Sequence, residues 1–469
     1  MEIRFKAFEY TATDDFNIAE YEFEGDSNSG WQILRNNQPY LQLGPGYQIL
    51  KTRLCGICAT DLAIRFLPHP LPQIIGHEVV AQDDQNQKVV VEINDTPYYR
   101  DDSNLDIFSR EGLYTHTPER LTLGIDRLPG GFGPYILAPN KAIIPIDAIN
   151  EYCAVLTEPF AAVMQAVSAS PPKEGDSLAV LGPRRLGSLL VAGLHVNRKL
   201  SKRNYRICAL SNHSSLLNIS KNLGADNCIN LSEVDVNALE NSFDIIYDTS
   251  GSSTGFELAL HLAKNEVHLK STSGQATCSI HKMTEFVVDE LTLLSFTEEH
   301  LDFTWDSENR QNLTVYIAPG VRDVHVGNKV VYRGSFADAR KILSGREFHN
   351  RLPRFDVAIA SSPAEIDAII RPDSKGQESL VRPRGVILFK GDPTNNPILE
   401  FVNNGGRVRS SRCGDLNVAL KILKEDKVFA DNLAFYVISH VFPIHELGKA
   451  FQSARDKRSM KVIVKHIEL

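Results

Sequence analysis

The first 150 residues alternate short apolar bursts with turn signals, and no helical period persists among them. β-branched or aromatic residues cluster at 48–54, 88–93 and 135–138, and turn-forming segments such as Gly44-Pro45-Gly46 separate the runs. Bursts of this length and composition are typical of strands. The pattern therefore predicts a small, mostly β domain in this part of the chain.

The pattern changes near Val155 and becomes a regular alternation of strands and helices from residue 177. The segment EPFAAVMQAVSAS is helix-prone, and Pro171-Pro172 closes it. Strands are then predicted at 177–181, 205–210, 243–248 and 267–270, and helices at 186–195, 216–223 and 255–263. Strands alternating with helices favour an α/β fold, with a doubly wound parallel sheet covered by helices.

Residues 297–400 begin with a polar stretch and then resume the alternation, with an echo of the preceding segment. FDII followed by VHLK at 243–270 resembles FDVA followed by VILFK at 355–390, and strand-like ends follow, ELTLLSF and GGRVRSSRC. The echo indicates a partial duplication of a βαβ unit. Chance similarity between α/β segments is the alternative, and the sequence leaves it open.

Composition narrows the function classes without selecting one. The chain has 469 residues, 42% of them hydrophobic, and a formal net charge of −8, which excludes a disordered chain and gives no reason to expect nucleic acid or an anionic membrane as partner. The N-terminal segment MEIRFKAFEY lacks the apolar core of a secretory signal, and seven thinly spread cysteines do not suggest a disulfide framework. We expect a cytoplasmic chain with reduced thiols.

A thiol, an imidazole and a carboxylate stand out as candidate zinc ligands. Cys58 lies in GICATD, His77 in GHE and Glu158 before a proline. Zinc binds such donors, and three protein ligands leave a fourth position for water or substrate. The alternative is that Cys58 is a buried small hydrophobe and His77 a core histidine. Cys55 adds little, because one CxxC without a second pair is weak evidence for a structural zinc site.

A glycine-containing loop follows the strand predicted at 177–181 and opens a helix, as a dinucleotide-binding fingerprint does. Its residues are Gly182, Pro183, Arg184, Arg185, Leu186 and Gly187. The first and third glycines of the fingerprint are present, but Arg184 stands where a glycine lets the backbone approach the pyrophosphate. The Arg184 guanidinium would either crowd the phosphates or pair with them.

A series of motifs outside 297–400 carries a family resemblance through its order and spacing. The motifs are LGPGYQILKTRLCGICATDL, IIGHEVVA, REGLYTHTPERLTLGI, GGFGPYILAP, TEPFAAV, AVLGPRRLG, HLKST, SSRCGDLNVALKIL and KAFQSARDKRSMKVIV. Together they resemble the medium-chain, zinc-dependent alcohol and polyol dehydrogenases, in their threonine-dehydrogenase-related branch.

The resemblance implies a fold and a division of the chain. It implies a GroES-like, mostly β catalytic domain at 1–165, onto which the segment 435–469 packs back. A Rossmann nucleotide-binding domain would follow at 166–296 and end at 401–434, and 297–400 would be an α/β insertion in it.

The resemblance also implies roles for the candidate residues. Cys58, His77 and Glu158 match zinc ligands, and Glu78 matches the glutamate beside the ligand histidine, which can approach or ligate the metal. Thr60 matches the hydroxyl residue that contacts the substrate oxygen and begins a proton relay. Asp61 matches the carboxylate that orients the ligand histidine.

Two further features depart from the family pattern. Ala63 stands where many members place the histidine that finishes the proton relay. The segment matching the structural-zinc lobe, INDTPYYRDDSNLDIFSREGLYTHT, contains no cysteine, and Thr117 occupies the place of its last ligand. Thiolates are the donors of such a site, so we expect one catalytic zinc and no structural zinc.

Cofactor choice depends on the end of the second strand, where an acidic residue would favour NAD and an arginine NADP. Ser211, Asn212 and His213 lie there and offer neither, so the choice stays open, with a lean to NADP. Ser250, Ser271 and Thr272 follow later strands, where the resemblance implies contacts with the nicotinamide and its ribose. As an alternative, they cap helices.

The sequence thus predicts a zinc-dependent oxidoreductase that interconverts an alcohol and its aldehyde or ketone by hydride transfer with NAD or NADP. Its partner would be a small alcohol or carbonyl compound, and self-association into a homo-oligomer is left open. One alternative is a degenerate, non-catalytic nucleotide- or metal-binding module. Another is a zinc-free reductase with the same fold.

Overall fold

The computed structural model describes residues 1–102, 105–147, 149–271, 274, 276–302, 313–327, 329–343, 352–370, 378–393 and 395–466. The chain forms two compact units. The first comprises Met1–Ala161 and Asp415–Leu469, and the second Ala162–Gly414.

Strands and helices are numbered in chain order. The strands are β1 Glu2–Tyr10, β2 Phe16–Asp26, β3 Gly30–Arg35, β4 Gln38–Leu43, β5 Tyr47–Gly56, β6 Glu78–Gln82, β7 Lys88–Val91, β8 Asn94–Asp95, β9 Leu121–Thr122, β10 Tyr135–Pro139, β11 Ile143–Pro145, β12 Ser177–Leu181, β13 Arg206–Ser211, β14 Asn227–Asn230, β15 Phe243–Asp248, β16 Ala263–Leu269, β17 Thr292–Ser295, β18 Thr314–Ile317, β19 Val330–Arg333, β20 Phe355–Ala360, β21 Val381–Phe389, β22 Arg407–Ser410, β23 Ile438–Pro443 and β24 Lys461–Lys465. The helices are α1 Ala59–Ala63, α2 Ile107–Arg110, α3 Glu151–Ala154, α4 Thr157–Ala169, α5 Arg185–Ser201, α6 Ser214–Asn222, α7 Ser253–Leu262, α8 Met283–Val288, α9 Phe336–Leu343, α10 Pro363–Ile370, α11 Pro397–Asn403, α12 Leu416–Glu425, α13 Lys427–Val437 and α14 Leu447–Arg455.

The first unit is mostly β, as the short apolar bursts predicted. Its main sheet has the order β11-β7-β6-β5-β24-β23, with β10 paired to β5, and β1 to β4 form a separate four-stranded antiparallel sheet. The C-terminal strand β24 pairs with β5 antiparallel, which places Ile463 opposite Gly56. The buried aliphatic and aromatic side chains of both sheets form one core.

The second unit contains one sheet of eleven strands in the order β14-β13-β12-β15-β16-β22-β17-β21-β20-β18-β19. Neighbours are parallel throughout, except at β17 and β22, which are antiparallel. The apolar strand runs are buried, as expected where helices cover a parallel sheet. The predicted α/β architecture is therefore present.

The boundaries expected from the sequence differ from those of the two units. The first boundary falls after Ala161 rather than at 165, and residues 415–434 belong to the first unit instead of ending the nucleotide-binding domain. Packing gives the reason: the ring of Phe429 in α13 lies 5.9 Å from that of Phe160, and Lys424 in α12 donates to Asp147 at 2.6 Å.

The segment 297–400, expected as an insertion, forms part of the same sheet. Its strands β18 to β21 extend the sheet, and β17, which precedes the expected start of the insertion, already pairs with β21. The two strand-like ends of the sequence echo are β17 and β22, which lie side by side.

No helix in the described part of the chain combines the length and the apolar character that crossing a bilayer demands.

Candidate functional site

Cys58 lies at the turn between β5 and the short helix α1. Its backbone is extended, and its N–H donates to Asp61 Oδ2 at 2.7 Å. The Cys58 Sγ lies 3.7 Å from the hydroxyl oxygen of Thr60, and the thiol is half-buried. The helix start therefore fixes the thiol, the Thr60 hydroxyl and the Asp61 carboxylate close to one another.

His77 brings an imidazole to the same place from the segment before β6. Its Nδ1 lies 3.3 Å from Asp61 Oδ1, and both side chains are buried. Burial lowers the pKa of His77, but the negative charges of Asp61 and Cys58 outweigh burial and hold that pKa well above its usual value. The surroundings of this imidazole thus favour a positive charge, as around a bound cation. Asp61 is placed to orient the ring.

Glu78, next in sequence, is held by a buried ion pair across a strand. Both of its carboxylate oxygens accept from Lys461 Nζ, at 2.5 and 2.7 Å. Gly56 lies on β5, the strand between β6 and β24, and pairs with Glu78. A Cβ on Gly56 would lie 2.1 Å from Glu78 Oε2. The glycine therefore leaves the space through which Lys461, on β24, reaches the carboxylate.

These side chains form a donor set suited to zinc. One atom each of Cys58, His77 and Glu78 lies within 4.8 Å of the other two. Thiolate, imidazole and carboxylate are the donors that zinc prefers, and a buried, acidic pocket stabilises the cation. The residues present fit a zinc ion.

Glu158, which the sequence analysis gave as the third ligand, is not a member of this set. It lies in the first turn of α4. Burial, with smaller contributions from the carboxylates of Glu158 and Asp415, raises the pKa of Glu92 to about 7. In the structure the carboxylate beside Cys58 and His77 is that of Glu78, and the role of Glu158 as a ligand stays a prediction.

The segment matching the structural-zinc lobe carries a hydrogen-bonded cluster instead of cysteines. Asp106 caps α2 through Phe108 N and accepts from Ser109 Oγ at 2.7 Å and Thr117 Oγ1 at 3.0 Å. Burial raises the pKa of Asp106, but these hydrogen bonds outweigh it and hold the pKa below its usual value. A hydroxyl that donates to a carboxylate thus occupies the position where the family has its last ligand.

The glycine loop of the second unit is built as the fingerprint requires. Gly182 has φ +77°, and a Cβ on it would lie 2.9 Å from Ser250 Cα. A Cβ on Gly187 would lie 2.5 Å from Thr249 Oγ1, and the Thr249 hydroxyl donates to the carbonyls of Leu181 and Gly182. Both glycines are therefore needed for the close packing of loop, strand and helix.

The arginines of the loop lie at the beginning of α5. Arg184 is the residue preceding the helix, with φ −87° and ψ −134°, and Arg185 is its first residue. Arg184, Arg185 and Leu186 are half-buried, and Gly187 is buried. Both arginine residues thus lie at the turn between β12 and α5, the place where the fingerprint holds phosphate.

The remaining cofactor candidates lie at the carboxyl ends of parallel strands. The order β13-β12-β15-β16 brings Ser211, the glycine loop, Ser250 and Ser271 to one edge of the sheet. Ser211 is buried and its hydroxyl accepts from His213 N at 3.1 Å, whereas Asn212 and His213 are exposed. Thr272 lies outside the described residues.

Sequence reasoning missed Lys461 at these sites, and it placed Thr249 and Lys270 only at the strand ends where a cofactor is expected. Lys461 lies in the recognised motif KAFQSARDKRSMKVIV, but only the strand pairing shows that it faces Glu78. Thr249 directly follows β15. Lys270 Nζ donates to the backbone oxygens of Ser411 and Arg412, so it holds the SSRCG segment. Its position directly after β16 was a signal, because the carboxyl ends of such strands bind ligands.

Comparisons with known proteins agree with this fold. No model of a protein family matches the chain. It is 25% identical over 242 residues to sorbitol dehydrogenase of Halalkalibacterium halodurans, covering 48% of this chain and 66% of that protein. It is 24% identical over 239 residues to L-threonine 3-dehydrogenase of Rhizobium etli, covering 48% and 65%. The matches thus span slightly less than two thirds of these relatives.

Solved structures show the same fold over nearly the whole chain. L-idonate 5-dehydrogenase of Escherichia coli aligns with a TM-score of 0.56 and 13% identity, covering 99% of each chain. A putative zinc-binding dehydrogenase of Sinorhizobium meliloti, bound to NADP, aligns with a TM-score of 0.56 and 13% identity, covering 98% of each. The resemblance to the medium-chain dehydrogenases and the predicted GroES-like and Rossmann fold are confirmed.

Proposed function

We propose that this chain, with the fold of the medium-chain dehydrogenases, is a zinc-dependent oxidoreductase that interconverts an alcohol and its aldehyde or ketone with NAD or NADP. The observation that carries the proposal is the convergence of Cys58, His77 and Glu78 within 4.8 Å in the first unit. The dinucleotide loop in the second unit supports it.

The chain's own residues would divide the work. Cys58, His77 and Glu78 would hold zinc, and Asp61 would keep the His77 ring oriented. When bound, zinc supplies a Lewis acid at the substrate oxygen, and the nicotinamide accepts or gives the hydride. The Thr60 hydroxyl, 3.7 Å from Cys58 Sγ, would carry the substrate proton away. Ala63 offers no imidazole to continue the relay, so the proton would leave Thr60 by way of water.

The glycine loop and the neighbouring strand ends would bind the dinucleotide. Gly182 and Gly187 allow the loop to pack closely at the start of α5, and the guanidinium groups of Arg184 and Arg185 would pair with the phosphates of a bound dinucleotide. Ser250 and Ser271 would lie toward the nicotinamide end. Ser211, Asn212 and His213 place no carboxylate against a 2′-phosphate, so we propose NADP over NAD.

The substrate and setting follow from the same features. We propose a small alcohol or carbonyl compound as the partner and a cytoplasmic location, since all seven cysteines are free. Neither nucleic acid nor a membrane surface is proposed as a partner.

Rate measurements on matched cysteine variants test the activity. Carbonyl reduction with NADPH and NADH would be measured for the wild-type chain, Cys58→Ser and the control Cys278→Ser. Loss of the Lewis acid should lower the rate of Cys58→Ser by a factor of about 100 or more, and leave Cys278→Ser near wild type. Equal rates in all three proteins would refute zinc-dependent turnover.

One feature favours a second candidate, a non-catalytic binding module. Arg184 replaces the glycine that normally admits the pyrophosphate, which would fit a chain that has lost turnover. Titration of NADPH and NADH, followed by cofactor fluorescence, separates the two. Absence of binding favours the module, and binding with hydride transfer favours the enzyme. Turnover in a zinc-free preparation would point to the zinc-free reductase.

A further inference from the structure

The eleven-stranded sheet is symmetric about its antiparallel junction. On one side of the junction the order is β13-β12-β15-β16-β22, and on the other it is β19-β18-β20-β21-β17. Each set runs parallel within itself. In the first set β12 pairs with β13 on one side and with β15 on the other. In the second set β18 pairs with β19 and β20 in the same way. Each five-stranded set therefore has the same wiring, with β14 as an addition to the first.

The pairing registers of the two sets also agree. In the first set Leu178 pairs with Ile245, and in the second Val315 pairs with Val357. The next ladder shows an irregularity at matching places, between Phe243 and Ile245 in the first set and between Phe355 and Val357 in the second. A shared order fits any doubly wound sheet, but a shared irregularity at the matching residue indicates common descent.

Hydrogen bonds recur at the same positions. Asp244 accepts from Ser177 N at 2.9 Å, and its counterpart Asp356 accepts from Thr314 N at 2.9 Å. At the other end, Lys270 N donates to the carbonyl of Asp248 at 2.9 Å, and Lys390 N to that of Ala360 at 2.8 Å. These matches extend the FDII and FDVA echo of the sequence to the geometry of the strands.

The two sets are related by a local two-fold axis with exchanged edge strands. At the junction Leu293 lies opposite Val408, and each occupies the same place in its own set. A residue that faces its own counterpart marks a two-fold axis. The chain leaves β16 through α8 and reaches β17 beside β21, and it leaves β21 through α11 and reaches β22 beside β16. The last strand of each set is thus exchanged.

We propose that residues 292–389 are an internal second copy of the nucleotide-binding sheet, which fills the β22 edge that would otherwise pair with a second chain. An unpaired edge strand is a template for such pairing, and a two-fold antiparallel junction is the form it takes between identical chains. Here the partner strand β17 belongs to the same chain, so this edge is not a self-association surface.

The copy does not offer a second nucleotide site. None of the described residues between β18 and β19 is helical, whereas α5 follows β12. The Glu365 carboxylate accepts from Gly320 N at 2.6 Å and Ser361 N at 2.8 Å, at the strand ends where the first set has its glycine loop. Its negative charge repels phosphate there. This part rests on the proposed function and predicts one dinucleotide per chain.

Disulfide trapping tests the internal copy, because opposite residues of antiparallel strands are close enough for a disulfide. The full-length variants are Val408→Cys, Leu293→Cys and the double variant, oxidised and analysed by non-reducing electrophoresis and thiol counting. The double variant should lose two thiols without gaining mass, and Val408→Cys should form no covalent dimer. Disulfide-linked dimers of Val408→Cys, or an unlinked double variant, would overturn the proposal.

Calorimetric titration with NADPH measures independently how many dinucleotides the chain binds. One equivalent of NADPH per chain is expected, and two equivalents would overturn the claim that the second copy binds no nucleotide. Absence of binding would remove the proposed function instead, and the disulfide result would still decide whether the copy fills the edge.

Discussion

Lys461 and Glu78 form a buried pair of opposite charges beside the candidate ligands. Their side chains are only 3% and 0% exposed, so neither charge has water to stabilise it in place of the other. The Lys461 ammonium therefore has two effects. It stabilises the fold around Glu78, and it competes with a metal ion for the same carboxylate.

At this scale we predict that Lys461→Met lowers the free energy of unfolding by about 3–5 kcal/mol, because Glu78 is left buried and unpaired. Urea unfolding measures the loss, and Lys465→Met, on the same strand but exposed, is the control. Adding Glu78→Gln to Lys461→Met should recover most of the stability. An unchanged Lys461→Met variant would show that the pair is not formed.

Glu92 gives a second prediction at the scale of single residues. Burial is the main cause that raises its pKa to about 7; hydrogen bonds from Asn94 oppose the rise, and the charges of Glu158 and Asp415 contribute to it. The folded chain thus keeps a proton that the unfolded chain releases between pH 4.5 and about 7. Stability contributed by this proton is present below that window and is lost as the pH rises through it.

We therefore expect Glu92→Gln, which cannot ionise, to remove roughly 1–3 kcal/mol of the fall in unfolding free energy across that window. Unfolding curves of both proteins at several pH values give the comparison, and the difference between them isolates Glu92 from other titrating groups. Parallel profiles would mean that Glu92 is ionised in the folded chain.

Among the secondary-structure elements, the turn between β12 and α5 depends on a glycine for its packing. A Cβ on Gly187 would lie 2.5 Å from Thr249 Oγ1 and 2.7 Å from the carbonyl oxygen of Gly182. Real side chains do not tolerate such distances, so any replacement must displace α5 from the strand end.

Gly187→Ala should therefore weaken NADPH binding by a factor of about 10 or more while the zinc content stays at its wild-type level, because the metal donors lie in the other unit. Cofactor fluorescence and metal analysis measure the two quantities. Gly448→Ala, where a Cβ would meet no atom within 4 Å, is the matched control. Wild-type affinity in Gly187→Ala would contradict the assignment of this loop.

For the whole molecule, the sequence predicted the two kinds of architecture but not how strands pair over long separations. Alternation identified β12 and β15 at 177–181 and 243–248, because buried parallel strands are continuous apolar runs. It could not show that β22 returns to β16 after more than a hundred residues, or that β17 crosses to β21. The exchange depends on register and packing, which a local pattern does not encode.

The candidate site, like the fold, was predictable from the sequence only in part. The proximity of Cys58, His77 and Asp61 could be predicted, because the motifs that hold them resemble those of a known family, and their roles stay predictions. The sequence offered both Glu78 and Glu158 as ligands, and their separate roles stay predictions, since they depend on where α4 places its first turn relative to β6. The contact of Lys461 with Glu78 could not be predicted, since a lysine in a terminal strand is ordinarily a solvated residue.

Zinc content tests the central claim most directly. Metal analysis of the purified full-length chain should find about one zinc per chain, and Cys58→Ser should find almost none while Cys278→Ser keeps it. A wild-type chain that binds no zinc even when zinc is supplied, or that keeps its zinc without Cys58, would contradict the account.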